Sequence, residues 1–150
     1  FSMGMAPPLS YAYGDGKTDV CRKLERYAHR FFAIAPLVIY ALTYFLAPAG
    51  VSCFANTASP VFPIAVSGMR IYGLGFLFSG INIFTAVRMM AYGKGYFSGL
   101  ITFLRSFALL LLFLTVLPQK FGLTGVWLAV PAAEVLTLFV AVWFLRPMQR

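Results

Sequence analysis

The sequence predicts an all-α protein: a polytopic bundle of transmembrane helices. Three observations predict it. Hydrophobic residues make up 61% of the 150 and charged residues 11%, against roughly 45–50% and about 25% in a soluble domain. The apolar residues gather in long continuous runs, each near the roughly 20 residues a helix needs to cross a hydrocarbon core. The basic residues fall mainly in the short segments between those runs, as topology signals do. Aromatic residues are 17% of the chain, which suits lipid-facing surface and interfacial belts. The runs do not alternate polar with apolar, which excludes a β-barrel. Backbone groups in a bilayer must bond within their own segment, so helices are the expected form.

Residues 1–13 are apolar, contain Pro7 and Pro8, and read as the tail of an earlier helix. No basic region followed by a short apolar core and cleavage site precedes them, so no signal peptide is expected. The opening residue is Phe1, inside an apolar stretch. The expectation is therefore the C-terminal part of a longer membrane protein. Residues 14–30 are basic, with Lys17, Arg22, Lys23, Arg26 and Arg30. The segment Gly14-Asp-Gly-Lys-Thr18 superficially resembles a phosphate loop, but that pattern needs glycine where Tyr11 stands and a preceding strand. It reads instead as a turn. Val20, Leu24, Tyr27 and Phe31 recur at i, i+4, i+7 and i+11, one helical face. Residues 19–31 are thus a helical extension of the next span, lying at the headgroups.

Four spans follow, at residues 31–47, 61–90, 96–117 and 123–145. Pro36 reads as an interruption of the first, as Pro7 and Pro8 do of the earlier helix. The second is long and must tilt or protrude; its Gly73, Gly75 and Gly80 permit close packing or bending. The connection at 49–60 has no Lys or Arg, whereas 88–95 carries Arg88 and Lys94. The turn 118–122 has Lys120 alone, and the tail has Arg146 and Arg150. Counting basic residues places segments 14–30, 88–95 and the C-terminus in the cytoplasm. The net charge is +8, which in a soluble chain would suggest nucleic acid; its distribution here reads as topology, with no nucleic-acid partner.

Glu134, in Pro131-Ala-Ala-Glu134, is the one acid deep within a span. A charge there is expensive unless paired or hydrated, which makes an intramembrane acid a functional-site candidate. The alternative is a carboxylate held structurally by an arginine. Arg70 and Arg105 also lie inside runs, where long side chains can snorkel. The last two spans turn near 118–122, and at about 1.5 Å per residue Arg105 and Glu134 fall at nearby depths, close enough to interact. Asn82 is either interhelical glue or a cavity-lining group. His29 is the single histidine and cannot assemble a zinc site. Cys21 and Cys53 fall on opposite sides of the membrane, too far apart for a disulfide. No G-x-S-x-G or other catalytic constellation is present, so the chain is not read as an enzyme, and no cofactor or metal is expected.

Several stretches, in order, resemble the C-terminal half of multidrug and toxic compound extrusion (MATE) transporters. They are Ala6-Pro-Pro-Leu-Ser-Tyr-Ala-Tyr-Gly14-Asp-Gly-Lys17, Phe76-Leu-Phe-Ser-Gly-Ile-Asn82 with Tyr92-Gly-Lys94, and Leu104-Arg105. The last are Leu117-Pro118, Phe121-Gly122-Leu-Thr-Gly125-Val-Trp127, Pro131 and Glu134. The resemblance implies two six-helix lobes, with this chain running from the end of the eighth helix through the twelfth and the N-terminal lobe elsewhere in the same protein. It implies export of small amphipathic or cationic compounds in exchange for H+ or Na+, in the plasma membrane (a bacterial or archaeal inner membrane), with a cytoplasmic C-terminus. Protonation of a carboxylate in a cavity of low dielectric would remove a buried charge and let the lobes rock. Glu134, Arg105 and Arg70 are then coupling or structural charges. Asn82, Pro8, Tyr11, Tyr13 and Phe76, with Phe84 and Met69, are cavity candidates. One departure matters: some members carry an acid in the tenth helix, and residues 61–90 have none. A lipid-linked oligosaccharide flippase of the same superfamily and a small non-transporting membrane scaffold are the alternatives.

Overall fold

A computed structural model describes residues 1–145; Arg146 and Arg150, part of the charge count above, lie outside the described residues. The chain is a bundle of helices, and no strand occurs among the described residues. Helix α1 is Ser2–Gly14, α2 is Thr18–Ser52, α3 is Val61–Gly73 and α4 is Phe76–Ala91. Helix α5, Gly95–Phe103, passes through a π-helical turn, Leu104–Ala108, into α6, Leu109–Phe121. Helix α7 is Leu123–Leu145. Four helical stretches among the described residues are long and apolar enough to cross a membrane: Thr18–Ser52, Val61–Ala91, Gly95–Phe121 and Leu123–Val142.

The connections follow from glycine. Gly16 and Gly93 sit at φ +71° and Gly122 at φ +56°, where a side chain is strained. Gly122, with ψ −136°, lets α6 and α7 fold back on each other within one residue. Gly125 then lies directly against the Leu117 backbone.

The 35 residues of α2 extend about 52 Å at 1.5 Å per residue, well beyond a hydrocarbon core of about 30 Å. The excess is the basic, amphipathic stretch at its start. Helix α2 also separates buried Cys21 from exposed Cys53, and both are free thiols.

One expectation is corrected. Pro7, Pro8 and Pro36 do not interrupt their helices, and Pro48, Pro118 and Pro131 are likewise carried within helices. A proline removes one donor, and the surrounding structure can hold the helix through it; Pro36 is buried against neighbours. The run 61–90 forms one stretch long enough to cross a membrane, Val61–Ala91, in which a tightened turn joins α3 to α4. There Leu74 N–H bonds Ile71 O at 3.1 Å and Gly75 N–H bonds Tyr72 O at 3.0 Å, the tightened i→i−3 pattern. A Cβ on Gly75 would stand 3.1 Å from Val130 and 3.2 Å from Tyr72 O, so the tightened turn sits against α7.

The core is made of small residues. Leu9, Ala12, Cys21 and Ala91 join α1, α2 and α4; Ala86, Met89, Ile101 and Ala141 join α4, α5 and α7. Large apolar side chains point outward, among them Phe45 (76% exposed) and Phe139 (68%). Lipid supplies no hydrophobic drive for helices to associate, so close approach of small residues holds them together. Gly68 receives the Trp127 ring and Gly80 receives Phe32, whose Cδ1 would lie 2.7 Å from an added Cβ.

Candidate functional site

A buried polar group in the bundle joins three separate elements. Helix α7 supplies Glu134, one helical turn after Pro131. Helix α4 supplies Asn82, completely buried. The π-helical turn supplies Arg105. Asn82 Nδ2 donates to the Glu134 carbonyl at 2.8 Å and to Oε2 of its carboxylate at 2.7 Å. Arg105 Nη1 lies 3.3 Å from the other carboxylate oxygen, Oε1, and donates to the Ser79 carbonyl at 3.4 Å. The two carboxylate oxygens are therefore held by different helices.

The three contacts differ in strength. The asparagine amide grips one residue twice at short distance. The arginine makes a single long ion pair and a single long hydrogen bond rather than the two-pronged fork a guanidinium can form on a carboxylate. The π-helical turn matters here. Widening one turn of a helix changes where its side chains project, and such bulges are frequent at functional sites.

Arg105 also borders two cavities. One, of about 210 Å³, is lined by Tyr72, Ser106, Val130, Ala133 and Glu134 with Arg105. The other, of about 400 Å³, is mostly apolar, with Met3, Ile83, Val87 and Met90 as walls and Asn82 and Arg105 as its polar groups. Asn82 Oδ1 is buried and accepts no hydrogen bond. The site thus presents a carboxylate, an unused amide oxygen and a cation that borders two spaces.

The remaining expected residues stand elsewhere. Arg70 ties α3 to α2: its Nε donates to the Tyr44 carbonyl at 3.2 Å and its guanidinium covers the Tyr44 ring at 4.5 Å. Pro8, Tyr11 and Tyr13 are exposed on α1. Tyr11 lies under Lys17 at 5.7 Å, and Tyr13 packs on Tyr92 with ring centroids 4.6 Å apart. Phe76 meets Tyr72 edge-on at 6.2 Å, next to the smaller cavity. Phe84 is buried against Phe32, and Met69 packs beside Ala47, Val51 and Val66.

A second charged cluster was not anticipated. Arg88 Nε approaches Glu25 Oε1 at 3.1 Å, and Tyr92 donates its hydroxyl to the same oxygen at 2.6 Å. Tyr92 lies just past the end of the span Val61–Ala91. Burial first, then the hydrogen bond to Glu25 and its negative charge, push the Tyr92 phenol above its ordinary value. The signal was present in sequence: Cys21, Glu25 and Ala28 follow i, i+4 and i+7, one helical face, and Cys21 and Ala28 are buried.

The fold has known counterparts. The chain matches the outward-facing conformation of a multidrug resistance MATE family transporter of the MOP superfamily, with a TM-score of 0.85 and 19% identity over 98% of this chain and 33% of that one. It also matches an inward-facing conformation of such a transporter, with a TM-score of 0.83 and 19% identity over 98% of this chain and 34% of that one. No family model and no curated protein matches the sequence. The chain therefore shares the fold of part of these transporters and spans about a third of their length.

Proposed function

We propose that this chain belongs to a secondary active exporter that moves amphipathic or cationic compounds out of the cell in exchange for inward H+ or Na+. The observation that carries the reading is the Glu134 carboxylate, 7% exposed, held between Asn82 and Arg105 and lining the smaller cavity. An intramembrane carboxylate is a functional-site candidate by default.

The geometry supports a simple exchange. Glu134 is neutralised by Arg105 through one long contact of 3.3 Å. A cationic substrate in the larger cavity meets Arg105 and Asn82 there, and a coupling ion in the smaller cavity competes with Arg105 for the carboxylate. Asn82 keeps the carboxylate aimed throughout, because it also grips the Glu134 backbone. The apolar walls accept varied substrates by area rather than by shape. Two conformations of neighbouring transporters match this chain about equally well, which supports a unit that rocks as one body. In this reading a second, N-terminal lobe completes the cavity, the basic ends of the spans and the C-terminus face the cytoplasm, and the protein sits in the plasma membrane.

The test is transport. Full-length protein in proteoliposomes with an imposed pH or Na+ gradient should move a cationic dye such as ethidium, and Glu134→Gln should reduce gradient-driven movement by tenfold or more. Wild-type rates in the variant, at equal reconstitution, would remove Glu134 from the mechanism.

A further inference from the structure

We propose that the basic start of α2 is a binding site for the headgroup of an anionic phospholipid. The inference stands apart from transport and needs only that α2 enters the membrane.

Arg22, Arg26 and Arg30 recur every four residues and are all exposed. On a helix each step advances about 40° and about 6 Å, so the three guanidiniums form one slowly winding stripe about 12 Å long, with Lys23 beside it. The opposite face is the packed one, carrying buried Cys21 and Ala28. Glu25 is turned to that packed side, where Arg88 and Tyr92 hold it. Its charge is therefore withdrawn from the basic face. Asp19, in the first turn of the helix, is the acid nearest the stripe. Among the described residues, none of Arg22, Lys23, Arg26 and Arg30 pairs with a carboxylate.

The apolar neighbours decide what kind of anion fits. Val20, Tyr27 and Phe31 are 42%, 62% and 42% exposed, and their spacing forms a strip running alongside the arginines. Helix α2 continues from them without a break into the apolar run of its span. A basic stripe beside an apolar strip, both leading into hydrocarbon, matches a phosphate joined to acyl chains rather than a soluble phosphate. Guanidinium forks suit phosphate oxygens, and basic clusters at the membrane end of a span attract anionic lipid. Orientation by positive charge alone requires neither alignment on one face nor the apolar strip.

The experiment titrates detergent-purified full-length protein with phosphatidylglycerol, phosphatidylcholine or glycerol phosphate. Binding is read by intact-complex mass spectrometry and by the shift in unfolding midpoint. Phosphatidylglycerol should bind in preference to phosphatidylcholine, and glycerol phosphate should give no comparable shift. Arg26→Gln should weaken phosphatidylglycerol binding about fivefold and R22Q/R30Q about 25-fold, from the attraction expected per basic residue. Lys120→Gln, which removes one charge in the last turn of α6, should leave binding unchanged. Equal binding of the two lipids, equal losses from Lys120→Gln and Arg26→Gln, or protection by glycerol phosphate as strong as by the lipid would each overturn the proposal.

Discussion

Removing Arg105 should harm the bundle more than neutralising Glu134, and the structure says by how much. At 3.3 Å and an effective dielectric near 20, the Arg105–Glu134 attraction is about 5 kcal/mol before desolvation is subtracted. The partners are unequally placed: side-chain exposure is 9% for Glu134 and 21% for Arg105. Arg105→Met strands the better buried charge with Asn82 as its remaining contact, and breaking a buried pair this way costs about 3–5 kcal/mol. Glu134→Gln strands Arg105, which borders two cavities and keeps the Ser79 carbonyl. That change should cost only about 1–2 kcal/mol. The double variant leaves no charge alone, so its loss should be about 2 kcal/mol smaller than the sum of the single losses. Reversible SDS unfolding of the full-length protein in bicelles measures all four corners of the cycle. A coupling within error of zero, or a larger loss from Glu134→Gln than from Arg105→Met, would refute the reasoning.

Two further substitutions test the packing and the second cluster. Gly125→Ala places a methyl group into the Leu117 backbone, which cannot swing aside as a side chain can. It should lower stability by about 1–3 kcal/mol, seen as a lower unfolding midpoint. Tyr92→Phe removes the hydroxyl bonded to Glu25 at 2.6 Å and should destabilise by about 1–2 kcal/mol near neutral pH. The folded phenol is held above its ordinary value, so its contribution is full below the unfolded value of about 10 and is lost as pH rises through the folded one. The gap between wild type and Tyr92→Phe should therefore close in alkaline titrations of stability and stay constant below pH ~9.

Much of this architecture was legible because a bilayer leaves few choices. Continuous apolar runs must become helices, and their ends are marked by charge and glycine. The proximity of Arg105 and Glu134 followed from counting residues outward from the turn at 118–122. Other features were hidden for physical reasons. The tightened turn at Leu74 and Gly75 leaves no polar trace, because both sides of it are apolar. The π-helical turn 104–108 has an ordinary helical composition. Asn82 and Glu134 each stood out, yet their pairing depends on how α4 rotates against α7, which no periodicity reveals. Arg88 was counted only as a topology signal, although Glu25 holds it. The prolines misled in the other direction: chemistry says each removes a donor, and only packing shows that the helix survives.

Competition at Glu134 can be measured directly. Binding of ethidium to the purified full-length protein should be followed by fluorescence across pH and Na+ concentration, in wild type and in Glu134→Gln. Wild-type affinity should fall as H+ or Na+ rises, and the variant's affinity should be weaker and independent of both. The same ion dependence in both proteins would contradict the account.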